Sequence, residues 1–176
     1  MSLEQLWAGW RLEYVQAASA AERATSDSGT ARGPDCVFCR IAASGPPSAD
    51  NGIVWRDELS FAVLNAFPYA SGHLLVMPVR HVEGLDELTG EEASSLWSAT
   101  LVALDGIRKA YDPDGMNMGA NLGRAAGAGI PKHVHLHVLP RWSGDTNFMT
   151  SVANVRVMPE SLDQSWQRLH EVLPDN

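Results

Sequence analysis

Cationic side chains are scarce in this chain: 13 Lys and Arg stand against 21 Asp and Glu, giving a formal charge of −8 and a pI near 5.1. Proteins that grip nucleic acid broadly rely on a basic field to displace counterions from phosphates, so nucleic acid is not expected as a partner. An anionic ligand must therefore be met by local groups. Long apolar runs are missing too: no stretch of 18 apolar residues occurs, and Glu4, Arg11, Glu13 and Glu22 break up the opening segment. Neither a membrane span nor a signal peptide is visible, and a cytoplasmic location is expected. Cysteine is limited to Cys36 and Cys39 in "CVFC". In a reducing compartment that pair reads as half a metal site or a redox pair, not as a structural disulfide.

What is present suffices for one core. At 176 residues and 45% hydrophobic, the chain can build one domain and is too short for two ordinary ones. Leu3, Leu6, Trp7, Trp10, Leu12 and Val15 recur near helical spacing, and the polar "ERATSDSGTARGPD" that follows has no periodicity. Residues 1–33 thus read as a helix and a flexible connection, 34–150 as the main domain, and 151–176 as an extension with a short helix over "ESLDQSWQRLHEVL". Within the main domain "GIVWRD", "SFAVLN" and "HLLVMPV" predict a meander of strands. Thr89 as N-cap, acidic residues behind it, Leu96, Leu101, Leu104 and Ile107 at helical spacing, and a basic end predict one long helix. "GMNMGANL" and "HVHLHVLPR" add two strands around the Gly-rich loop "GRAAGAGIPK". Strands that come in a run predict an α+β domain, an antiparallel five-stranded sheet with one major helix. A doubly wound nucleotide fold would carry its Gly-rich turn between strand and helix, whereas this loop joins strand to strand.

The most informative segment is "HVHLHVL". His133, His135 and His137 occupy alternate positions with apolar residues between them, in a chain with only six histidines. On an ideal strand such residues face one side, roughly 6.5–7 Å apart. A solvated strand face is the plain alternative, but such faces favour Thr, Lys and Glu. Imidazole works near neutral pH as nucleophile, proton donor or metal ligand, and a neutral ring nitrogen can attack phosphorus. Cys36 and Cys39 have zinc-ligand spacing without a nearby histidine pair, so two ligands must come from afar. His81 and one member of the triad are the candidates. With His133 as the fourth ligand the site would be closed and structural, leaving His135 and His137 free.

The motif "HVHLHVL" resembles the signature of the histidine triad (HIT) superfamily of nucleotide hydrolases and transferases, His-φ-His-φ-His-φ-φ with φ apolar. The resemblance extends through "SFAVLN", "PYASGHLLVMPVRHVEGLDEL" and "MNMGANLGRAAGAGIPKHVHLHVLPRW", covering roughly residues 34–150. "LWAGWRLEYV" and "PRWSGDTNFM" are further similar to the bacterial branch that includes diadenosine tetraphosphate phosphorylases. The resemblance implies a nucleoside polyphosphate substrate and a homodimer. It implies His135 as the nucleophile that forms a covalent nucleotidyl-imidazole, and His137 as a donor to phosphate oxygens. A backbone carbonyl near His133 is expected to hold the His135 tautomer. Asn65 matches a ribose-binding position, Asn121 a residue facing the phosphates, and Cys36, Cys39, His81 and His133 the ligands of zinc-bearing members. His73 also matches a family position, read here as structural. Inorganic phosphate or water would be the final acceptor, with phosphate favoured by the branch. A phosphoramidase or general nucleotide hydrolase is the alternative enzyme, and a zinc-stabilised nucleotide-binding module the alternative of another class.

One departure matters. Several family members carry polar side chains three and four residues before the first histidine, where this chain has Ile130 and Gly129. Backbone N–H groups of Ala126 to Gly129, Gly127 among them, are expected to take over as a phosphate-binding concavity. Arg124, Lys132 and Arg141 are candidates for local positive charge, although alternation puts Lys132 on the face away from the triad.

Overall fold

The computed structural model describes residues 36–145 and 158–174, all within one compact unit. The expected N-terminal helix and connection lie outside the described residues. In chain order the elements are helix α1 (Val37–Ala42), strands β1 (Ile53–Arg56), β2 (Ser60–Leu64) and β3 (Leu74–Pro78), helix α2 (Gly90–Tyr111), strands β4 (Gly115–Gly119) and β5 (Leu136–Arg141), and helix α3 (Leu162–His170). Short 3-10 turns cover Leu85–Glu87 and Arg124–Ala126. The sheet order is β1-β2-β3-β5-β4 and every neighbouring pair is antiparallel. The fold is therefore α+β with a five-stranded antiparallel sheet and one major helix.

Strands β2 and β3 are buried at every position, because both faces of the sheet are covered. Alternation sorts their side chains. Ala62, Leu64, Leu74 and Val76 join Leu96, Ala99, Ala103 and Ile107 of α2 in one core, whereas Phe61, Val63, Leu75 and Met77 join Phe38 and Ala42 of α1 in a second. The registers Phe61↔Met77, Ala62↔Val76 and Val63↔Leu75 keep each set on its own face. Fully burying one such aliphatic or aromatic side chain contributes about 1.5–3 kcal/mol, so a one-residue slip that exchanged the faces would dismantle both cores at once.

Helix α2 begins as its sequence predicts. Thr89 Oγ1 accepts from the Glu92 N–H at 3.2 Å and Glu92 Oε2 accepts from the Thr89 N–H at 2.8 Å, closing a capping box. Arg80, just past β3, grips the same carboxylate through Nε at 2.6 Å and a terminal nitrogen at 2.7 Å, which holds Glu92 down to about pKa 2. The expected C-terminal helix is α3, capped by Ser161 and Gln164. Its Trp166 donates to the Ile53 carbonyl at 2.8 Å, and its Leu169 enters the α2-side core.

Two features differ from the sequence reading. Helix α1 was not anticipated; six residues are too few to show periodicity, and Cys36 caps it without a side-chain hydrogen bond. The strand expected from His133 starts only at Leu136. Its partner β3 ends at Pro78, which has no N–H for the ladder, and the approaching chain bonds elsewhere, Val134 donating to the Val82 carbonyl at 2.8 Å.

Candidate active site

The sheet register fixes where the histidines face. His137 pairs with Leu75, a residue of the α1-side core, while its neighbours Leu136 and Val138 pack on the α2 side. The triad therefore projects from the face opposite the long helix. Although only His137 belongs to the hydrogen-bonded strand, the extended chain before it preserves the alternation. The rings form a continuous row: His81 to His133 at 5.1 Å between centroids, His135 to His137 at 5.1 Å, and His137 to His73 at 5.2 Å. Phe38 of α1 bridges the remaining step, edge-on to His133 at 5.6 Å and to His135 at 5.0 Å.

At one end of the row stands a cluster of side chains that could hold a metal ion. One donor atom from each of Cys36, Cys39, His81 and His133 lies within 4.8 Å of the others. Helix α1 explains the cysteine spacing, since Cys36 caps the helix and Cys39 falls in its first turn. His133 Nε2 lies 2.9 Å from the Pro78 carbonyl, which can only accept. The proton must sit on Nε2, leaving the Nδ1 lone pair facing Cys36 Sγ at 3.5 Å and Cys39 Sγ at 3.7 Å. His81 Nδ1 is 3.3 Å from Cys39 Sγ. A tetrahedral zinc with ordinary Zn–S and Zn–N bonds has ligand-to-ligand edges of roughly 3.3–3.8 Å, so the donor set fits that ion in chemistry and spacing. Burial, reinforced by Cys36, pushes the Cys39 thiol up to about 11, and metal binding there must displace a proton.

In the middle of the row His135 is held by backbone. His135 Nδ1 lies 2.8 Å from the His133 carbonyl, the arrangement expected from the sequence. The carbonyl fixes the Nδ1–H tautomer and leaves Nε2 with a lone pair. His135 is 6% exposed, and burial lowers its pKa, the bond to His133 opposing the shift. Burial, with a smaller contribution from His135, takes His137 down to about 4. Both rings are thus neutral at neutral pH.

At the far end His73, fully buried at the entrance to β3, places Nε2 3.0 Å from His137 Nδ1. Asn65 ends β2 in an Asx turn, its Oδ1 accepting from the Phe67 N–H at 2.9 Å and its Nδ2 lying 3.3 Å from His73 Nδ1. The amide keeps one lone pair and one N–H for a ligand. His73 and Asn65 are therefore joined to the triad by hydrogen bonds, a contact that the sequence reading of His73 as a structural residue did not include. The signal was its place two residues before Leu75, diagonal to His137 across the strand pair.

The remaining candidates fare unequally. Asn121 is half-buried two residues beyond Gly119, which pairs with His137. In the Gly-rich loop, Gly127 adopts φ +89° and donates its N–H to the Arg124 carbonyl at 2.8 Å, so that amide is spent inside the loop. Gly129 lies further along, closer in sequence to the triad. Arg141 is committed to Asp145 through two bonds of 2.6 and 2.8 Å and to Asn117 at 2.7 Å.

Comparison with known proteins agrees with this geometry. Residues 47–144 match the family model for the HIT domain. The chain is 37% identical over 162 residues to a Mycobacterium tuberculosis protein named AP-4-A phosphorylase, covering 91% of this chain and 79% of that one. A bis(5'-adenosyl)-triphosphatase of Dictyostelium discoideum is 36% identical over 89 residues, 51% of this chain and 59% of its own. A crystal structure of a Zn-bound histidine triad family protein from Mycobacterium smegmatis superposes with a TM-score of 0.62 at 29% identity, covering 77% of this chain and 91% of the other. With the triad motif, the sheet that presents it and the family match in agreement, the chain belongs to the HIT family.

Proposed function

We propose that the protein cleaves dinucleoside polyphosphates such as diadenosine tetraphosphate by passing a nucleotidyl group first to His135 and then to inorganic phosphate. The observation that carries this reading is the buried His135, whose Nδ1–H is held by the His133 carbonyl at 2.8 Å so that Nε2 is an available nucleophile. In the first step the Nε2–phosphorus bond forms as the bond from the α-phosphorus to the polyphosphate oxygen breaks. The leaving polyphosphate departs with its electron pair, and His137 donates to the phosphoryl oxygens. In the second step a phosphate oxygen displaces His135, giving ADP and ATP from diadenosine tetraphosphate. Two steps with a good leaving group in each replace one harder displacement. The name of the mycobacterial relative supports both the substrate class and phosphate as acceptor.

Bound at Cys36, Cys39, His81 and His133, zinc would have a full shell of protein ligands and supply a cross-link between α1 and the triad segment. Phosphate contacts fall to Asn121 and to backbone at Gly129. Trp97 and Leu101, one turn apart on α2 and 53% and 49% exposed, give a second copy of the chain an apolar face. A homodimer is the expected assembly; a monomeric mass by light scattering at micromolar concentration would argue against it.

Incubation with diadenosine tetraphosphate separates the readings. ADP that appears only when phosphate is added supports phosphorolysis, AMP formed in its absence marks a hydrolase, and no product leaves a binding module. Asn65 offers a second test. A site built to bond a hydroxyl discriminates against the analogue that lacks it, so ribonucleotide substrates should be preferred over 2'-deoxy ones. Asn65→Ala should erase most of that preference and slow both. Retention of the full ribo-to-deoxy ratio in kcat/KM would make Asn65 a turn residue alone.

A further inference from the structure

We infer that Arg80 is a positioning residue: through Glu92 it fastens residues 78–82 to the N-terminus of α2, and that segment holds His133 in place for both the metal cluster and the contact with His135. The inference rests on Cys36, Cys39, His81 and His133 as the zinc set, and not on the phosphorolysis proposed above.

Past Pro78 the chain leaves the sheet, so this segment must be held from outside the strand ladder. Two adjacent side chains hold it toward different helices. His81 reaches α1, its Nδ1 3.3 Å from Cys39 Sγ. Arg80 reaches α2: Nε donates to Glu92 Oε1 at 2.6 Å, and one terminal nitrogen donates to Oε2 at 2.7 Å and to the Glu87 carbonyl at 2.8 Å. A planar fork on a carboxylate fixes direction as well as distance. Glu92 is itself fixed, because its side chain is 8% exposed and Oε2 also accepts from the Thr89 N–H at 2.8 Å.

The same segment presents two carbonyls to the triad chain. Pro78 accepts from His133 Nε2 at 2.9 Å, and Val82 accepts from the Val134 N–H at 2.8 Å. His133 is thus clasped at its ring and at the amide that follows it by the two ends of the segment Arg80 anchors. Both contacts of His133 depend on where that segment stands. Its Nδ1 faces Cys36 Sγ at 3.5 Å and Cys39 Sγ at 3.7 Å, and its carbonyl accepts from His135 Nδ1 at 2.8 Å. An ion pair whose cation is half-exposed contributes little stability by itself. Behind a ligand it does more, because a metal site loses affinity when the groups that orient its ligands are removed.

Zinc affinity, measured by competition with a chromophoric chelator, and hydrogen exchange of the Val134 amide separate positioning from plain stabilisation. Arg80→Met keeps the apolar stem and loses every N–H donor of the side chain. It should weaken zinc binding about tenfold and speed Val134 exchange. Arg80→Lys keeps a charge without the planar fork and should fall between Met and wild type. Glu92→Gln combined with Arg80→Met should weaken zinc no further than Arg80→Met alone, the mark of one shared interaction. Thr89→Ala is the control. It removes the bond from the Glu92 N–H to Thr89 Oγ1 and weakens the helix cap without touching Arg80, so the melting temperature should fall while zinc affinity and Val134 exchange stay near wild type. A folded Arg80→Met protein with wild-type zinc affinity and Val134 protection overturns the inference, whatever its melting temperature. So does a Thr89→Ala protein that loses as much of both as Arg80→Met, because helix stability alone would then explain the effect. Should Arg80→Met fail to fold, Arg80→Lys carries the same two readouts. If the wild type takes up no zinc, the cluster assignment fails, and Val134 exchange in the metal-free variants decides the hold on His133. Neither readout uses turnover, so a failure to cleave diadenosine tetraphosphate removes the proposed activity and leaves the inference standing.

Discussion

Replacing His135 by Asn is expected to lower kcat by three orders of magnitude or more while leaving the fold intact. The asymmetry comes from the two ring nitrogens. The Asn amide can still donate to the His133 carbonyl that now accepts from His135 Nδ1 at 2.8 Å, so the local backbone keeps its partner. Nothing in Asn replaces the Nε2 lone pair, so the proposed covalent step should be lost. A thousandfold loss is about 4 kcal/mol of transition-state stabilisation, whereas the melting temperature should move by no more than the ~2–4 °C that about 1 kcal/mol produces in a chain of this size. Substrate labelled at the α-phosphorus should leave acid-labile label on wild type and none on the variant. Turnover within about tenfold of wild type, only ~1.4 kcal/mol, would remove His135 from the chemistry.

The same environment sets the acid limb of activity. Protonation of His135 at Nε2 would abolish the proposed nucleophile. Burial holds its pKa below the ordinary 6.5 of histidine, so kcat/KM, which reports the free enzyme, should persist as pH falls through 6.5 and decline only below it.

How legible the protein was depended on the physical scale of each feature. The short apolar runs "SFAVL" and "LLVMP" and the cap at Thr89 with its acidic first turn are local, and strands and helix fell where the sequence put them. The Cys36, Cys39, His81 and His133 cluster could be assembled because few other ligands were available. Helix α1 was invisible because its six residues are ordered by tertiary packing of Phe38 and Ala42, not by their own periodicity. The contact between His73 and His137 was hidden for a related reason. A lone histidine at the start of an apolar strand looks like a core residue until the register of β3 on β5 places it beside His137. Likewise Gly127 looked free for phosphate, and its N–H is consumed by a carbonyl three residues back.

Loss of a single cysteine should show that the metal set governs both stability and chemistry. His133 is the joint between them: its Nδ1 faces Cys36 and Cys39, its Nε2–H is bonded to Pro78, and its carbonyl holds His135. Zinc bound there would tie α1, the segment after β3 and the triad segment into one unit, and at a closed site binding energy is also folding energy. Zinc-finger sites contribute about 10–16 kcal/mol on metal binding; a pre-folded domain with two cores should realise only part of that. If Cys36→Ser forfeits about 5 kcal/mol, as a metal site reduced to three good ligands would in this bookkeeping, the melting temperature of this 176-residue chain falls by roughly 10–20 °C. Zinc content should fall with it, and a chelator that lowers the wild-type melting temperature should add little to the variant. Activity should decline as well, because a His133 without its metal holds the carbonyl on His135 less firmly, whereas His135→Asn should keep a full complement of zinc. Wild-type protein that carries no zinc after metal-replete expression would overturn the assignment of these four residues and leave the His135 prediction untouched.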